Sequence, residues 1–231
     1  MKTIGLIGGM SWESTLPYYQ LINEGVKARL GGLHSARLVL YSVDFAEVEQ
    51  LQRAGDWVGA GALLAKAAQA LQTAGAQALV LCTNTMHKVA PAIEAAVDVP
   101  LLHIADATAA AIVNQGLQRV GLLGTRFTME QDFYKSRLQD RYGLEVMVPI
   151  SHERDEVHRI IYEELCLGHV RETSREVYRR VIRSLVEQGA QAIILGCTEI
   201  GLLITPQDSD VPVFDTTALH AQAAVDWALI D

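Results

Sequence analysis

A chain of 231 residues, 50% of them hydrophobic, carries enough apolar material for one large domain or two smaller ones. Its formal net charge of −8, with no Lys/Arg run or basic stripe, argues against nucleic acid and acidic membrane surfaces as partners. High apolar content and scarce proline argue against disorder. No apolar run approaches the ~20 residues of a membrane span. Cysteines number 3, an odd count at no metal-ligand spacing. They argue against a disulfide scaffold and fit free thiols in a reducing cytoplasm.

In chain order, Thr3 to Ile7 reads as a first strand rather than a signal peptide, because its apolar run is too short. After Gly8-Gly9-Met10-Ser11, a helix is expected from near Ser14 or Thr15, with Pro17 in its first turn, to about Leu30 before Gly31-Gly32. Arg37 to Val43 is a second strand. Phe45 to Ala74 is helical, with a break near Gly55. A third strand, Ala78 to Cys82, runs into Thr83-Asn84-Thr85. A helix from about Met86 to Ala96 and a short strand from Val99 to His103 follow. This alternation predicts an α/β fold with parallel sheets covered on both faces.

The pattern then restarts. Ile4-Gly-Leu-Ile-Gly8 resembles Val120-Gly-Leu-Leu-Gly124, and Val99-Pro100 leading to Asp106 resembles Val211-Pro212 leading to Asp215. The spacing is far longer than a solenoid unit, so duplication of a whole domain is the better reading. Two pseudo-symmetric three-layer domains are expected, 1–104 plus 214–231 and 105–213, with the C-terminal helix crossing back onto the first half. No flexible linker separates them, which predicts domains facing each other across a cleft.

The most informative repeat pairs Gly75-Ala-Gln-Ala-Leu-Val-Leu-Cys82-Thr83-Asn84-Thr85 with Gly189-Ala-Gln-Ala-Ile-Ile-Leu-Gly196-Cys197-Thr198-Glu199. Each copy is a buried-strand pattern that stops in small polar and thiol residues, and open α/β sheets place their sites at such carboxyl ends. Aligned without gaps, Thr83 rather than Cys82 falls opposite Cys197. Cys82 reads first as a small core thiol. Cys197, after Gly196 and ahead of an expected helix N-terminus, reads as a reactive thiol with a lowered pKa.

Gly8-Gly9-Met10-Ser-Trp-Glu-Ser-Thr15, Thr83-Asn84-Thr85 and Gly196-Cys197-Thr198-Glu199 together resemble the aspartate/glutamate racemase superfamily over essentially the whole chain. The likeness is greatest to bacterial L-aspartate/glutamate or broad-specificity amino-acid racemases. The resemblance implies two similar α/β domains, a site between them, an amino-acid substrate, no cofactor and a homodimer. The family's common first motif is Cys-Asn-Thr, with that Cys as one of two acid/base residues. Thr83 stands at its place here. The implied mechanism has Cys197 as main acid/base on one face of the substrate Cα and Thr83, or water relayed by it, on the other, with Cys82 still open as the second group.

The α-carboxylate would need a cradle, for which Asn84, Thr85, Thr198 and nearby backbone N–H groups at helix starts are suited. Helix capping is the plainer role for Asn84 and Thr85. Met10 and Thr125, each following the first strand of a half, are expected at the same cleft. Gln52 and Glu164 are carried by the resemblance to substrate-contacting positions, against a solvated helix face as the plainer reading. Aspartate-specific relatives would have a basic group near position 164, which Ile161-Tyr-Glu-Glu-Leu165 does not offer.

Other chemistries fit less well. The Gly-x-Gly-x-x-Gly spacing of dinucleotide loops is absent after the first strand. Lys88 in Thr85-Met-His87-Lys88 reads as a helix-surface cation rather than a pyridoxal-phosphate lysine. Seven histidines lack ligand spacing, so no metal is expected. His87 and Cys166 read as packed residues. The rival to a racemase is a non-catalytic amino-acid-binding or regulatory module. A related isomerase or decarboxylase using the same carbanion is a third reading.

Overall fold

The computed structural model describes residues 1–230. The chain divides into two compact units, Met1–His103 joined by the segment from His220 onward, and Ile104–Leu219.

The first unit contains strands β1 (Ile4–Gly8), β2 (Leu38–Ser42), β3 (Ala78–Leu81) and β4 (Leu101–Leu102), and helices α1 (Trp12–Leu30), α2 (Phe45–Ala54), α3 (Trp57–Thr73) and α4 (Ala90–Glu94). All pairings in its sheet are parallel, in the order β2-β1-β3-β4. Alternate strand residues serve two different cores, as the two-residue strand period demands. Ile7, Leu79 and Leu81 pack with Leu64, Ala67, Ala68 and Leu71 of α3. Ile4, Leu6, Val80 and Cys82 pack with Tyr18, Ile22 and Val26 of α1 and with Ala221, Ala224, Val225 and Ala228.

The second unit repeats the plan. It holds α5 (Ile104–Asn114), β5 (Arg119–Gly124), α6 (Arg126–Glu130), α7 (Asp132–Tyr142), β6 (Glu145–Met147), α8 (Ser151–Glu163), α9 (Glu172–Glu187), β7 (Ala192–Gly196), α10 (Ile200–Leu203) and β8 (Val213–Asp215). Helix α11 (Thr216–Leu229) follows. The sheet is again parallel, in the order β6-β5-β7-β8. Val120, Leu122, Ala192 and Ile194 pack against α5 and α7. Leu123, Ile193 and Leu195 pack against α8 and α9. Each unit is therefore a three-layer α/β/α stack.

The sheets share their register as well as their order. β1 pairs Ile7 with Leu81, and β5 pairs Leu123 with Leu195. These are the partners that the gap-free repeat alignment equates.

Several elements differ from the sequence reading. α1 begins at Trp12 because Ser11 caps it, its side chain accepting from the Ser14 N–H, and Pro17 lies inside the helix rather than in its first turn. The expected helix from Met86 to Ala96 is a 3-10 turn, Thr85–Val89, followed by the short α4, with Pro91 in the first turn of α4. The chain returns to the first unit at His220 rather than near 214, because β8 completes the second sheet beside β7. The break at Gly55 is real: Gly55 is left-handed at φ 71°, and α2 and α3 lie on either side of it.

Candidate active site

In the first unit the site candidates gather after β1 and β3. β3 ends at Leu81, and the Cys82 N–H still donates to the Ile7 carbonyl at 2.9 Å. The Thr83 N–H turns back onto the Leu81 carbonyl at 2.8 Å, so the ladder is left at this residue. Thr83, Asn84 and Thr85 are all buried. Asn84 precedes the 3-10 turn, but its side chain does not cap it. The plain capping role expected for Asn84 is therefore not the one it has.

Cys82 is fully buried among Ile4, Leu6 and Tyr18, with its thiol 3.8 Å from the Val80 carbonyl. Burial pushes this thiol far above its ordinary range. It is a neutral core side chain. Met10 is also packed in a core, with Ile7 and Val48. Gln52 of α2 is buried, with its amide directed at the Met86 sulfur at 2.9 Å. Its placement is not the solvated face that was the plainer reading.

In the second unit Thr125 follows β5 and caps α6, accepting from the Thr128 N–H at 3.3 Å. β7 ends at Gly196, and Cys197, Thr198 and Glu199 follow, all buried. The Cys197 thiol donates to Glu199 Oε2 at 2.9 Å, and the Thr198 hydroxyl donates to the same oxygen at 2.8 Å. A single carboxylate oxygen thus gathers the two candidate residues.

Burial pushes the Cys197 thiol well above its ordinary range, and the Glu199 carboxylate adds to the rise, with Cys166 contributing in the same direction. This corrects the expected lowering by a helix N-terminus. The helix after Cys197 is the four-residue α10, which starts only at Ile200. So short a helix has little dipole, while the carboxylate is in contact with the sulfur. The resting group is a thiol hydrogen-bonded to a base.

Glu164 lies beyond α8 and is buried rather than on a solvated face. Ser174 donates to it at 2.5 Å and Arg159 at 3.1 Å, and Arg171 lies 4.0 Å away. Burial opposes its ionisation, but the Ser174 and Arg159 hydrogen bonds and the charges of Arg171 and Arg159 outweigh this and hold its pKa below the usual carboxylate range. Two basic groups therefore lie near position 164, both engaged with Glu164 itself. They come from Arg159 and Arg171, which the local Ile161–Leu165 string does not contain. Cys166 is half-buried against the α8–α9 core instead of lying within it. Lys88 sits 3.8 Å over the Trp57 ring, a cation–π contact and not a freely solvated cation.

Glu199 is the residue that sequence reasoning quoted but left without a role. The repeat itself carried the signal. Glu199 falls opposite Thr85, so an acid replaces a hydroxyl two residues after Cys197, whose own counterpart is Thr83. His87, read from the sequence as a packed residue, is buried, and its Nδ1 lies 2.7 Å from the Thr83 carbonyl. Among the described residues no cluster of His, Cys, Asp and Glu suited to a metal ion is found, and no helix is long and apolar enough to cross a membrane.

Two units of parallel α/β/α architecture, each with a central strand that runs into small polar or thiol residues and one with a thiol against a carboxylate, define the class as a duplicated α/β protein. Residues 7–224 match the Asp/Glu/Hydantoin racemase family model, and the chain belongs to that family. It is 64% identical to a Yersinia pestis protein whose crystal structure is assigned to the Asp/Glu racemases, with a TM-score of 0.93 and 100% of both chains covered. An aspartate racemase homologue from Pyrococcus horikoshii is 38% identical, with a TM-score of 0.84 over 99% of each chain. The broad-specificity amino-acid racemase RacX of Bacillus subtilis is 23% identical over 96% of each sequence. These relatives carry the names of racemases or racemase homologues, racemases are isomerases, and the expectation of an enzyme with this α/β fold stands.

Proposed function

We propose that the protein racemises aspartate, glutamate or a similar amino acid without a cofactor, by removing the α-proton on one face of Cα and returning a proton on the other. The observation that carries this is the Cys197 thiol donating to Glu199 Oε2 at 2.9 Å at the carboxyl end of β7. A thiol alone is a poor base when buried. A thiol whose proton can pass to an adjacent carboxylate becomes a thiolate on demand.

The proton balance is simple. The Cys197 S–H proton moves to Glu199, the thiolate takes the α-proton, and the resulting carbanion is protonated from the opposite face. Glu199 then releases its proton to solvent and the donor on the opposite face takes one up, which restores the enzyme. Thr83, at the position equivalent to Cys197 in the repeat, is the proposed donor there, directly or through a water. A Thr hydroxyl is a far weaker acid and base than a thiol. The enzyme then handles one enantiomer better as substrate, while the final equilibrium is unchanged. Asn84, Thr85, Thr125 and Thr198 are proposed to receive the substrate carboxylates, with Met10, Gln52 and Glu164 shaping the pocket. Short helices and 3-10 turns follow both β3 and β7. The cradle therefore relies on side chains and turn N–H groups more than on helix dipoles. A homodimer in the cytoplasm completes this reading.

The test is proton NMR of L- and D-aspartate, separately, with purified protein in D2O. Loss of the α-proton signal with wild type and none with Cys197→Ala is expected. Absence of exchange from aspartate, glutamate and a panel of neutral amino acids would sink the reading and favour a binding module.

A further inference from the structure

The racemase reading leaves unused a buried group of aromatic and imidazole side chains inside the first unit. Tyr18, His87, His103 and His220 are all at most 6% exposed. The His87 and His103 rings lie 4.3 Å apart between centroids, and His87 and His220 lie 5.9 Å apart. Far apart in sequence, these histidines show no spacing pattern, yet the fold brings their rings together next to the turn that carries Thr83.

The hydrogen bonds settle which nitrogen does what. A carbonyl only accepts, so His87 Nδ1 carries the hydrogen that it shares with the Thr83 carbonyl at 2.7 Å. His220 Nε2 likewise donates to the Leu102 carbonyl at 2.7 Å. As a neutral imidazole, His220 then accepts the Tyr18 hydroxyl at Nδ1, at 2.9 Å. Leu102 is in β4, paired with Val80 of β3. The imidazole that backs His87 is thus pinned to the strand next to β3, the strand that leads to Thr83.

We propose that His87 is a positioning residue for Thr83: its Nδ1–H holds the Thr83 carbonyl and so sets the plane of the Thr83–Asn84 peptide. This rests on the racemase reading given above. In a trans peptide the C=O and the following N–H point in opposite directions. Holding the carbonyl toward the histidine group therefore turns the Asn84 N–H away from it and fixes the backbone on which the Thr83 hydroxyl is carried. A buried carbonyl just past the end of a strand has lost its ladder partner, and the imidazole N–H satisfies it. His87 touches no reacting atom in this scheme. It acts through the geometry of Thr83.

The test compares two polar replacements that differ in where they place an N–H. Asn puts its amide nitrogen near the position of Nδ1, whereas Gln extends past it. Both variants are first checked for native circular dichroism and cooperative melting. Each is then assayed in D2O for α-proton exchange with retention and for inversion, starting from the enantiomer that wild type consumes faster. Exchange with retention reports the Cys197 face alone, while inversion needs Thr83 as well. His87→Asn is expected to keep inversion within about threefold of wild type, and His87→Gln to lose about tenfold or more of inversion while exchange falls much less, as small misplacements of a reacting group do. A parallel fall of exchange and inversion in His87→Gln, or equal behaviour of the two variants, overturns the proposal. Wild type without α-proton exchange on any amino acid is a different result, because it removes the racemase reading itself and is read in a separate sample.

Discussion

At the end of β3 the thiol of Cys82 points into a core and the hydroxyl of Thr83 follows it. At the end of β7 the order is a glycine and then the thiol of Cys197. The shared register, Ile7 opposite Leu81 and Leu123 opposite Leu195, makes Cys82 the counterpart of Gly196 and Thr83 the counterpart of Cys197. Glu199 and Thr85 are also counterparts, and only Glu199 offers a carboxylate to its neighbours. The difference shows that having a thiol near a strand end is not enough. Its position within the two-residue strand period decides whether it fills a core or meets a base.

The largest effect should come from separating the thiols. Cys197→Ala is expected to lower α-proton exchange by about 10³-fold or more, in the range lost with a principal acid–base group. Cys82→Ala should stay within about threefold of wild type under the same NMR assay, since Cys82 is sealed in its core. Comparable losses in both variants would break the comparison. Glu199→Gln comes next, with turnover expected to fall about 10²-fold. Its pH profile gives the sharper reading. Burial and then the Glu199 carboxylate raise the Cys197 thiol. With Glu199 present to take the thiol proton, turnover does not depend on ionisation of the thiol to solvent. In Glu199→Gln it does, so the variant's activity climbs as pH rises toward the range to which burial has pushed the thiol. A variant profile without that climb would deny Glu199 its part in taking the thiol proton.

Much of this was legible before the fold was seen. Alternating apolar runs and glycine turns announced parallel sheets, and the long-range likeness of 75–85 to 189–199 announced the duplication. The same alignment set Thr83, not Cys82, at the position equivalent to Cys197, as the shared register of the two sheets does. Contacts made by residues distant in sequence were not legible. The Arg171 and Ser174 partners of Glu164 come from the start of the α9 segment, and His103 and His220 meet His87 from remote parts of the chain. Helix starts misled for a local reason. Pro17 suggested a first turn, whereas Ser11 had already capped α1. The pKa direction of Cys197 was misread because helix length, and hence dipole, cannot be gauged from a run as short as Ile200–Leu203.

A smaller effect is expected from giving the first unit the thiol it lacks. Thr83→Cys replaces a hydroxyl by a group of similar size and better-matched acidity, so the preference between L- and D-substrate should narrow by about tenfold. It should not vanish, because Thr85 supplies no carboxylate where Glu199 does. Initial rates from each enantiomer, followed by polarimetry, check this. An unchanged preference would mean that Thr83 is not the group on the second face.

The smallest effect concerns stability and asks why Cys82 has a glycine as its counterpart. A Cβ at Gly196 would lie 2.6 Å from Leu122 Cδ1 and 2.8 Å from the Leu123 carbonyl oxygen. The Leu122 methyl can rotate aside, but the Leu123 carbonyl belongs to β5 and can retreat only if the two strands part. Overpacking of this kind costs about 1–3 kcal/mol, so Gly196→Ala should lose about 2 kcal/mol. At Cys82 the first unit already accommodates a side chain, and Cys82→Ala only removes one buried sulfur, for about 1 kcal/mol. Urea unfolding followed by circular dichroism separates the two, because a stability change moves the midpoint at constant slope. If Gly196→Ala were the milder variant, β5 and β7 would have to be able to separate at their carboxyl ends, and the backbone that presents Cys197 to Glu199 would be less firmly held than the β5–β7 pairing indicates.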